Sequence, residues 1–316
     1  MIVASLIGFA TVFILAAWSI SAGLGLTVLL GRRWLRRAGP AFERRAVALA
    51  ASVPVAVAVA VVVALLWQPG VDDHCPHHTH HAHLCLAHGA AWLDRPWAVV
   101  LIAGVGVTMA IRLGLVMASV LRTTRAVARL RRVSTATSDV RLVESARSFC
   151  FVAGIRRPEL FVSTTAWHAL DARERAAMLA HERAHIAHGD LWRRLALELL
   201  GVLAAPLVPS ALRGAWSSAT ERLCDARAVD VVGREPVATA LVRLCRADRA
   251  RSALASFAPT AEALADRVEA VLAAEPTGDV AARRLGAASV LSMLALAALA
   301  LAFAEPLHHA LETLLG

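Results

Sequence analysis

The sequence predicts a mainly α-helical, polytopic membrane protein with about four transmembrane helices and a cytoplasmic domain that contains a short β-hairpin. Composition is the first observation, because 58% of the 316 residues are hydrophobic and the mean hydropathy of +0.60 is too high for an ordinary soluble domain. The second is a set of four apolar runs of about twenty residues or more, enough for a helix to cross a bilayer. These runs are 2–30, 47–67, 97–120 and 285–304.

The arginines predict how these segments are oriented. The loop between the second and third runs contains Asp72 and Asp73 and few arginines, whereas two arginine-rich stretches follow the first and third runs. The positive-inside rule therefore predicts a multi-pass plasma-membrane protein with the first loop and the main domain in the cytoplasm and both termini outside. The arginines are Arg32, Arg33, Arg36, Arg37, Arg44 and Arg45 after the first run, and Arg122, Arg125, Arg129, Arg131 and Arg132 after the third.

Three regions follow from this layout: an N-terminal membrane region (1–121), a cytoplasmic domain (122–284), and a C-terminal transmembrane helix with a short outer tail (285–316). The net charge of +9 comes mostly from the arginines beside the membrane and predicts contact with anionic lipids of the bilayer. No compact basic module stands apart from the membrane flanks, so we expect no direct nucleic-acid partner.

The predicted outer loop between the second and third runs is rich in histidine. Such a tract can bind Zn, Cu or Ni, which makes a second metal site one interpretation. A disulfide between Cys75 and Cys85 is another, because this side of the membrane is oxidising. A flexible polar loop without a metal is the third. The histidines are His74, His77, His78, His80, His81, His83 and His88.

Two short strands are predicted before the centre of the cytoplasmic domain, at 149–154 and 159–163, around a turn at 156–158. Such a strand edge can pair with an extended peptide substrate. A purely structural hairpin accounts for the same residues equally well.

The run His181-Glu182-Arg183-Ala184-His185 is an H-E-x-x-H motif within a predicted helix. Asp171 with Glu174 forms a capping box at the helix start, and Gly189 is a typical C-terminal stop. On a helix, positions i and i+4 share a face, so both imidazoles can reach one zinc ion (Zn²⁺). Glu182 then lies where it can take a proton from the attacking water.

The candidate third metal ligand is Glu221, in the run Glu221-Arg-Leu-Cys-Asp225. A carboxylate oxygen would complete a His-His-Glu set and leave a fourth position open. Asp225, one helical turn further on, can hydrogen-bond a ligand histidine or position the helix. The alternative is a solvated face of Glu, Arg and Asp. A shared site also requires the apolar run 195–208 not to cross the bilayer once, since that would separate Glu221 from His181.

The segments 155–163, 170–171 and 181–190, together with the Glu221–Asp225 block, resemble BlaR/MecR-type integral-membrane zinc metallopeptidases over about residues 130–275. The HtpX- and Ste-type membrane peptidases are similar more distantly, and Cys224 sets the block apart from theirs. The resemblance implies a zincin-like domain of the gluzincin type, in which His181, His185 and Glu221 bind zinc and Glu182 is the catalytic base. It also implies cleavage of a repressor-like cytoplasmic partner. The chain contains no Lys, so a Ser-x-x-Lys penicillin-sensing site is excluded.

The predicted function is therefore a membrane-embedded zinc endopeptidase that acts on a protein or peptide substrate at a cytoplasmic site. The chain also lacks Tyr, so the transition-state oxyanion needs another donor, and His168, His188 and Arg227 are the candidates considered. Two alternatives remain at this point. One is a metal-sensing or metal-transport-associated membrane protein that uses the outer histidine loop, and the other is a non-catalytic relative.

Overall fold

The computed structural model describes residues 2–66, 96–137, 139–206, 208–249 and 261–273. These residues form a mainly helical molecule with one small sheet. The helices are α1 (Ile2–Leu30), α2 (Arg32–Arg37), α3 (Pro40–Leu66), α4 (Pro96–Val133), α5 (Thr164–Ala169), α6 (Ala172–Ala187), α7 (Asp190–Leu203), α8 (Val208–Val232), α9 (Arg234–Arg249) and α10 (Ala261–Ala273). The strands are β1 (Ser134–Ala136), β2 (Arg141–Val143), β3 (Cys150–Ala153) and β4 (Glu159–Ser163).

Two helices of the described part are long and apolar enough to cross a membrane: α1 over Phe13–Leu30, and α4. The apolar side chains of α4 are largely exposed, which suits a surface that faces lipid. The predicted second span falls on α3, which is not one of these two helices. The fourth predicted span (285–304) and the histidine loop lie outside the described residues. The structure thus supports two of the four predicted spans.

The sheet has the strand order β1-β2-β4-β3. β3 and β4 are antiparallel neighbours around a tight turn, which confirms the predicted hairpin, and β2 runs parallel to β4. The expected hairpin is therefore half of a four-stranded sheet, with β3 at one edge. Successive side chains of β4 point to opposite faces of the sheet and join two hydrophobic clusters. Phe161 packs on Val127 of α4, while Leu160 and Val162 belong to the cluster on the other face.

The predicted catalytic helix is α6. Asp171 accepts hydrogen bonds from the backbone N–H groups of Arg173 and Glu174, and the Glu174 carboxylate accepts one from the Asp171 N–H, which completes the predicted capping box. Gly189 adopts a left-handed conformation (φ 63°) just after the helix and allows α7 to begin at once. Ala177 and Met178 of α6 lie in the core with Ala228 of α8.

The apolar run 195–208 forms the end of α7 and the connection to α8. α7 has 14 residues, about 21 Å at 1.5 Å per residue, which is short of the roughly 30 Å hydrocarbon core of a bilayer. It packs between α3 and α4, and α8 then returns along α6. The chain between His181 and Glu221 therefore folds back without needing to cross a membrane.

Candidate metal centre

Three side chains from two helices converge beside α6. His181 and His185 lie one turn apart on α6, and Glu221 reaches them from α8. His181 Nε2 is 3.4 Å from Glu221 Oε2, and His185 Nε2 is 3.7 Å from Glu221 Oε1. Atoms bound about 2.0–2.1 Å from one tetrahedral ion would lie about 3.3 Å apart. The donor atoms of the three residues all lie within 4.8 Å of one another, so they can reach one metal ion.

The opposite nitrogen of each ring faces a carboxylate. His181 Nδ1 lies 2.8 Å from Asp225 Oδ1, and His185 Nδ1 lies 2.9 Å from Asp190 Oδ2. Histidines that bind metals usually donate the other ring N–H to such an acceptor, which holds the ring with Nε2 toward the ion. The structure thus brings Asp225 to the ring of His181. Asp190 was missed, although its position directly after the helix stop at Gly189 was a usable signal.

Arg267 of α10 joins the two acidic residues of α8. It donates two hydrogen bonds to Asp225, at 2.7 and 2.8 Å, and its Nη1 lies 3.1 Å from Glu221 Oε2. Sequence reasoning missed Arg267 as well, because nothing in its neighbourhood marks it out from the other arginines of the chain. Its guanidinium contacts Glu221 Oε2 and Asp225 Oδ1, the same two oxygens that face the ring of His181.

The protonation of these groups follows from their contacts. Burial alone would lower the pKa of His181, but the Asp225 and Glu221 carboxylates outweigh burial and raise that pKa to about 9. Burial would raise the pKa of Glu221, yet His181 and Arg267 lower it to about 2. The Asp225 pKa is likewise lowered to about 2, against burial, by Arg267 and His181. Without a metal, the two carboxylates therefore favour a protonated His181, and a metal bound to this ring would displace a proton.

Glu182 points into the same region from α6 and is only 8% exposed. Burial raises its pKa, while the neighbouring His181 and His185 oppose that rise. The Cys150 thiol of β3 lines the cavity beside it, and burial followed by the charge of Glu182 raises the thiol pKa well above its usual value. Cys150 therefore stays a neutral thiol beside the carboxylate.

A cavity of about 580 Å³ opens over these residues. One wall is the edge strand β3 with the residues before it, 148–152, and another is an apolar surface of α9 that includes Leu241 and Leu244. None of His168, His188 and Arg227, the candidate oxyanion donors, lines this cavity. The arginines that do line it are Arg194 of α7 and Arg267, and Arg267 is already held by two carboxylates.

A sequence model of the BlaR1 peptidase M56 family matches residues 92–271, more than half of the chain. The chain belongs to this family. The resemblance drawn from the motifs is thereby confirmed, and membership implies a membrane-associated metallopeptidase with a metal cofactor. No curated protein and no solved structure matches the chain. The matched residues include every side chain of the metal centre described above and exclude the helices α1 to α3.

A second group of possible donors lies behind the first in this M56 member. It consists of His185, Asp190 and Cys224, and Cys224 Sγ is 3.4 Å from His185 Nδ1. Burial raises the pKa of the Cys224 thiol well above its usual value, which disfavours the thiolate that a metal requires. Asp190 is also paired with Arg44 at 2.9 Å, so a positive charge already occupies its other side. Asp190 and Cys224 therefore support the ring of His185.

Proposed function

We propose that this M56 family member is a zinc-dependent endopeptidase of the plasma membrane with its active site on the cytoplasmic side. The observation that carries the proposal is the convergence of His181 Nε2, His185 Nε2 and the Glu221 carboxylate beside the buried Glu182. Two imidazoles and one carboxylate are the gluzincin donor set, and they favour zinc while leaving a position for substrate or water.

In this proposal His181, His185 and Glu221 hold the zinc ion, and Asp225 orients His181. The metal, when bound, would polarise the scissile carbonyl and make water a stronger acid. Glu182 is the general base: it takes a proton from the attacking water and passes that proton to the leaving amine. Burial, which raises the Glu182 pKa, makes its carboxylate a stronger base than a solvated glutamate.

The position of the edge strand β3 favours a protein or peptide substrate that binds in an extended conformation. Among the described residues β3 forms one edge of the sheet, and residues 148–152 line the cavity that contains Glu182. A substrate backbone that pairs with this edge would run past the metal centre with its scissile bond near Glu182. The Cys150 thiol of β3 lies beside Glu182, so a substrate paired with β3 would lie close to the proposed base.

The cytoplasmic placement rests on the arginines that flank the apolar segments. The arginine-rich stretches beside α1 and α4 predict that α2 and the metal centre share the inner side. A substrate reached from that side is a cytoplasmic protein, and regulatory cleavage of a repressor-like partner is the form that the family resemblance favours.

The test uses the full chain in detergent or nanodiscs with one zinc ion per chain verified by elemental analysis. The probe is a proteome-derived peptide library, with new termini read by mass spectrometry. Glu182→Gln should keep the zinc and lose cleavage by about 10²–10⁴-fold, the usual contribution of a general base. Glu269→Gln, an exposed glutamate of α10, is the matched control and should keep both.

Two results would contradict the proposal. Cleavage that persists in zinc-loaded Glu182→Gln would show that Glu182 is not the base. A zinc-loaded wild-type chain that cleaves nothing in the library, at any level above the Glu182→Gln variant, would favour the non-catalytic alternative.

A further inference from the structure

The start of α3 lies against the metal centre. Arg44 of α3 donates a hydrogen bond to Asp190 Oδ1 at 2.9 Å, and the other oxygen of Asp190 lies 2.9 Å from His185 Nδ1. Asp190 thus holds the arginine with one oxygen and the candidate metal ligand with the other. The side chains of Arg44 and Asp190 are only 12% and 6% exposed, so water does not compete strongly for either contact.

The residue before Arg44 makes the equivalent contact on α8. Glu43 is fully buried and forms an ion pair with Arg222, the residue that follows Glu221. Arg32 of α2 lies 3.6 Å from the other oxygen of Glu43. Consecutive residues of α3 therefore reach both elements that build the metal centre, α8 through Arg222 and α6 through Asp190 and His185.

An apolar cluster packs α3 against α7 and α8. Val47, Ala50 and Ala51, in the turns after Arg44, pack with Leu197 of α7 and with Leu212, Ala215 and Trp216 of α8. Because α3 is packed against the helices that carry Asp190 and Glu221, Glu43 and Arg44 are presented at defined positions.

Energetics favour a positioning role for these two ion pairs. A buried ion pair contributes little net stability, since desolvation of the charges offsets most of their attraction, and an apolar pair of similar shape often serves as well. An apolar pair cannot, however, hold a carboxylate in a fixed orientation against an imidazole ring. Neither Glu43 nor Arg44 falls within the residues matched by the family model, 92–271.

We propose that Arg44 is a positioning residue of the metal centre, acting through Asp190 on the ring of His185, and that Glu43 supports it by fixing Arg222 beside Glu221. The inference rests on the proposed function for the identity of the ligands. A carboxylate held by Arg44 accepts the Nδ1–H of His185 in one orientation, which keeps Nε2 aimed at the ion. Loss of Arg44 removes the shorter of two arginine contacts of Asp190 Oδ1, at 2.9 Å against 3.9 Å for the exposed Arg193, and the ligand becomes less well directed.

The experiment measures the Co²⁺ binding of the full chain that is lost in His181→Ala, which removes any contribution of the histidine loop. Co²⁺ takes zinc sites and reports their geometry through its visible absorption spectrum. Arg44→Met should weaken Co²⁺ affinity by about 10–100-fold, the range for lost support of a metal ligand, and should alter the spectrum. Arg44→Lys keeps the charge and should recover part of the loss. Arg213→Gln is the matched control, because it breaks an ion pair between α8 and α7, with Glu198 at 2.8 Å, that touches no ligand.

A double-mutant cycle tests whether Arg44 acts through Asp190. Asp190→Asn alone and Arg44→Met with Asp190→Asn should bind Co²⁺ equally weakly, because the arginine has no further route to His185. The double variant also removes both buried charges, so it folds even if Arg44→Met leaves an unpaired carboxylate that impairs folding.

The outcomes separate this inference from the proposed function. A wild-type chain that binds no more Co²⁺ than His181→Ala overturns both. A wild-type chain that binds Co²⁺ with an affinity and spectrum unchanged in Arg44→Met overturns only the positioning role of Arg44. Additive losses in the double variant overturn the route through Asp190.

Discussion

Arg194 is our candidate, among the residues that line the cavity, for the donor that stabilises the transition-state oxyanion. It lies on α7, lines the cavity, and is exposed, whereas Arg267 is held by Asp225 and Glu221. A guanidinium near a scissile carbonyl stabilises the negative charge that develops on its oxygen in the transition state. The donors considered from the sequence, His168, His188 and Arg227, do not line the cavity.

We therefore expect Arg194→Ala to lower kcat/KM by about 10²–10³-fold while zinc content stays unchanged, which corresponds to loss of one oxyanion donor. Kinetics on a peptide found in the library experiment give the rate, and elemental analysis gives the zinc content. Arg173→Ala, an exposed arginine of α6 that does not line the cavity, is the control. Equal kcat/KM in the two variants would remove Arg194 from the reaction.

Asp225 gives a second prediction at this scale. It is buried, lies 2.8 Å from His181 Nδ1 and accepts two hydrogen bonds from Arg267. Asp225→Asn keeps the shape but gives the imidazole a neutral, weaker acceptor, so zinc affinity should fall by about 10–100-fold. Competition with a chromophoric chelator measures this. Asp230→Asn, at an exposed position of the same helix, should bind zinc as the wild type does, and equal affinities for both variants would contradict the role of Asp225.

Sequence reasoning could bring together those site residues whose relation is local. His181, Glu182 and His185 are linked by helical spacing, and Glu221 with Asp225 by the same spacing on a second helix. Asp190 and Arg267 reach the site only because α7 starts at a sharp turn and α10 packs on α8. The helix stop at Gly189 was a sequence signal for Asp190, whereas nothing in the local sequence marks out Arg267, so the contact of Arg267 could be found only in the structure.

The same distinction holds for whole elements. The helix α6 carries its own start and stop signals, and the strands β3 and β4 are apolar and flank a turn that contains Pro158, so all three elements were predictable. The strands β1 and β2 have three residues each and include Ser134 and Arg141, which gives no alternation to detect. They form a sheet because β4 supplies a parallel partner for β2.

The hairpin that presents the edge strand depends on Gly154. Its φ of +103° is accessible mainly to glycine, and a Cβ there would collide with the carbonyl oxygen of Arg157. Gly154→Ala should therefore destabilise the fold by about 1–3 kcal/mol, as measured by denaturant unfolding in a fixed detergent. Gly214→Ala is the control, because Gly214 lies inside α8 with open space around it. That change should stabilise by up to about 1 kcal/mol, and a similar loss in both variants would contradict the argument from Gly154.

At the scale of the molecule, composition and arginine placement predicted a membrane protein, and family membership agrees with that class. Among the described residues, length and apolar character support a span at α1 and at α4. The second predicted span lies on α3, whose first turns carry Glu43 and Arg44 and are packed against α7 and α8. A hydropathy pattern cannot distinguish an apolar face that contacts lipid from one that contacts other helices, because both exclude water.

The metal centre also predicts how the stability of the whole chain responds to zinc. The candidate ligands join α6 to α8, so zinc bound by the folded state alone would stabilise it by about 2.7 kcal/mol at a free concentration one hundred times Kd. The thermal unfolding midpoint should rise with zinc in the wild type. It should rise equally in Glu182→Gln, which keeps all three ligands, and far less in His181→Ala.

The histidine loop can also bind zinc, so the zinc-dependent shift of the wild type must be compared with that of His181→Ala. Its seven histidines belong to the folded and unfolded chain alike, and zinc bound to the unfolded chain reduces the observed stabilisation. Because the loop is the same in the wild type and in His181→Ala, its contribution cancels when the two zinc-dependent shifts are subtracted. A difference near zero, with zinc-binding stoichiometry also equal, would show that the ion binds away from α6 and that the convergence of His181, His185 and Glu221 does not hold a metal.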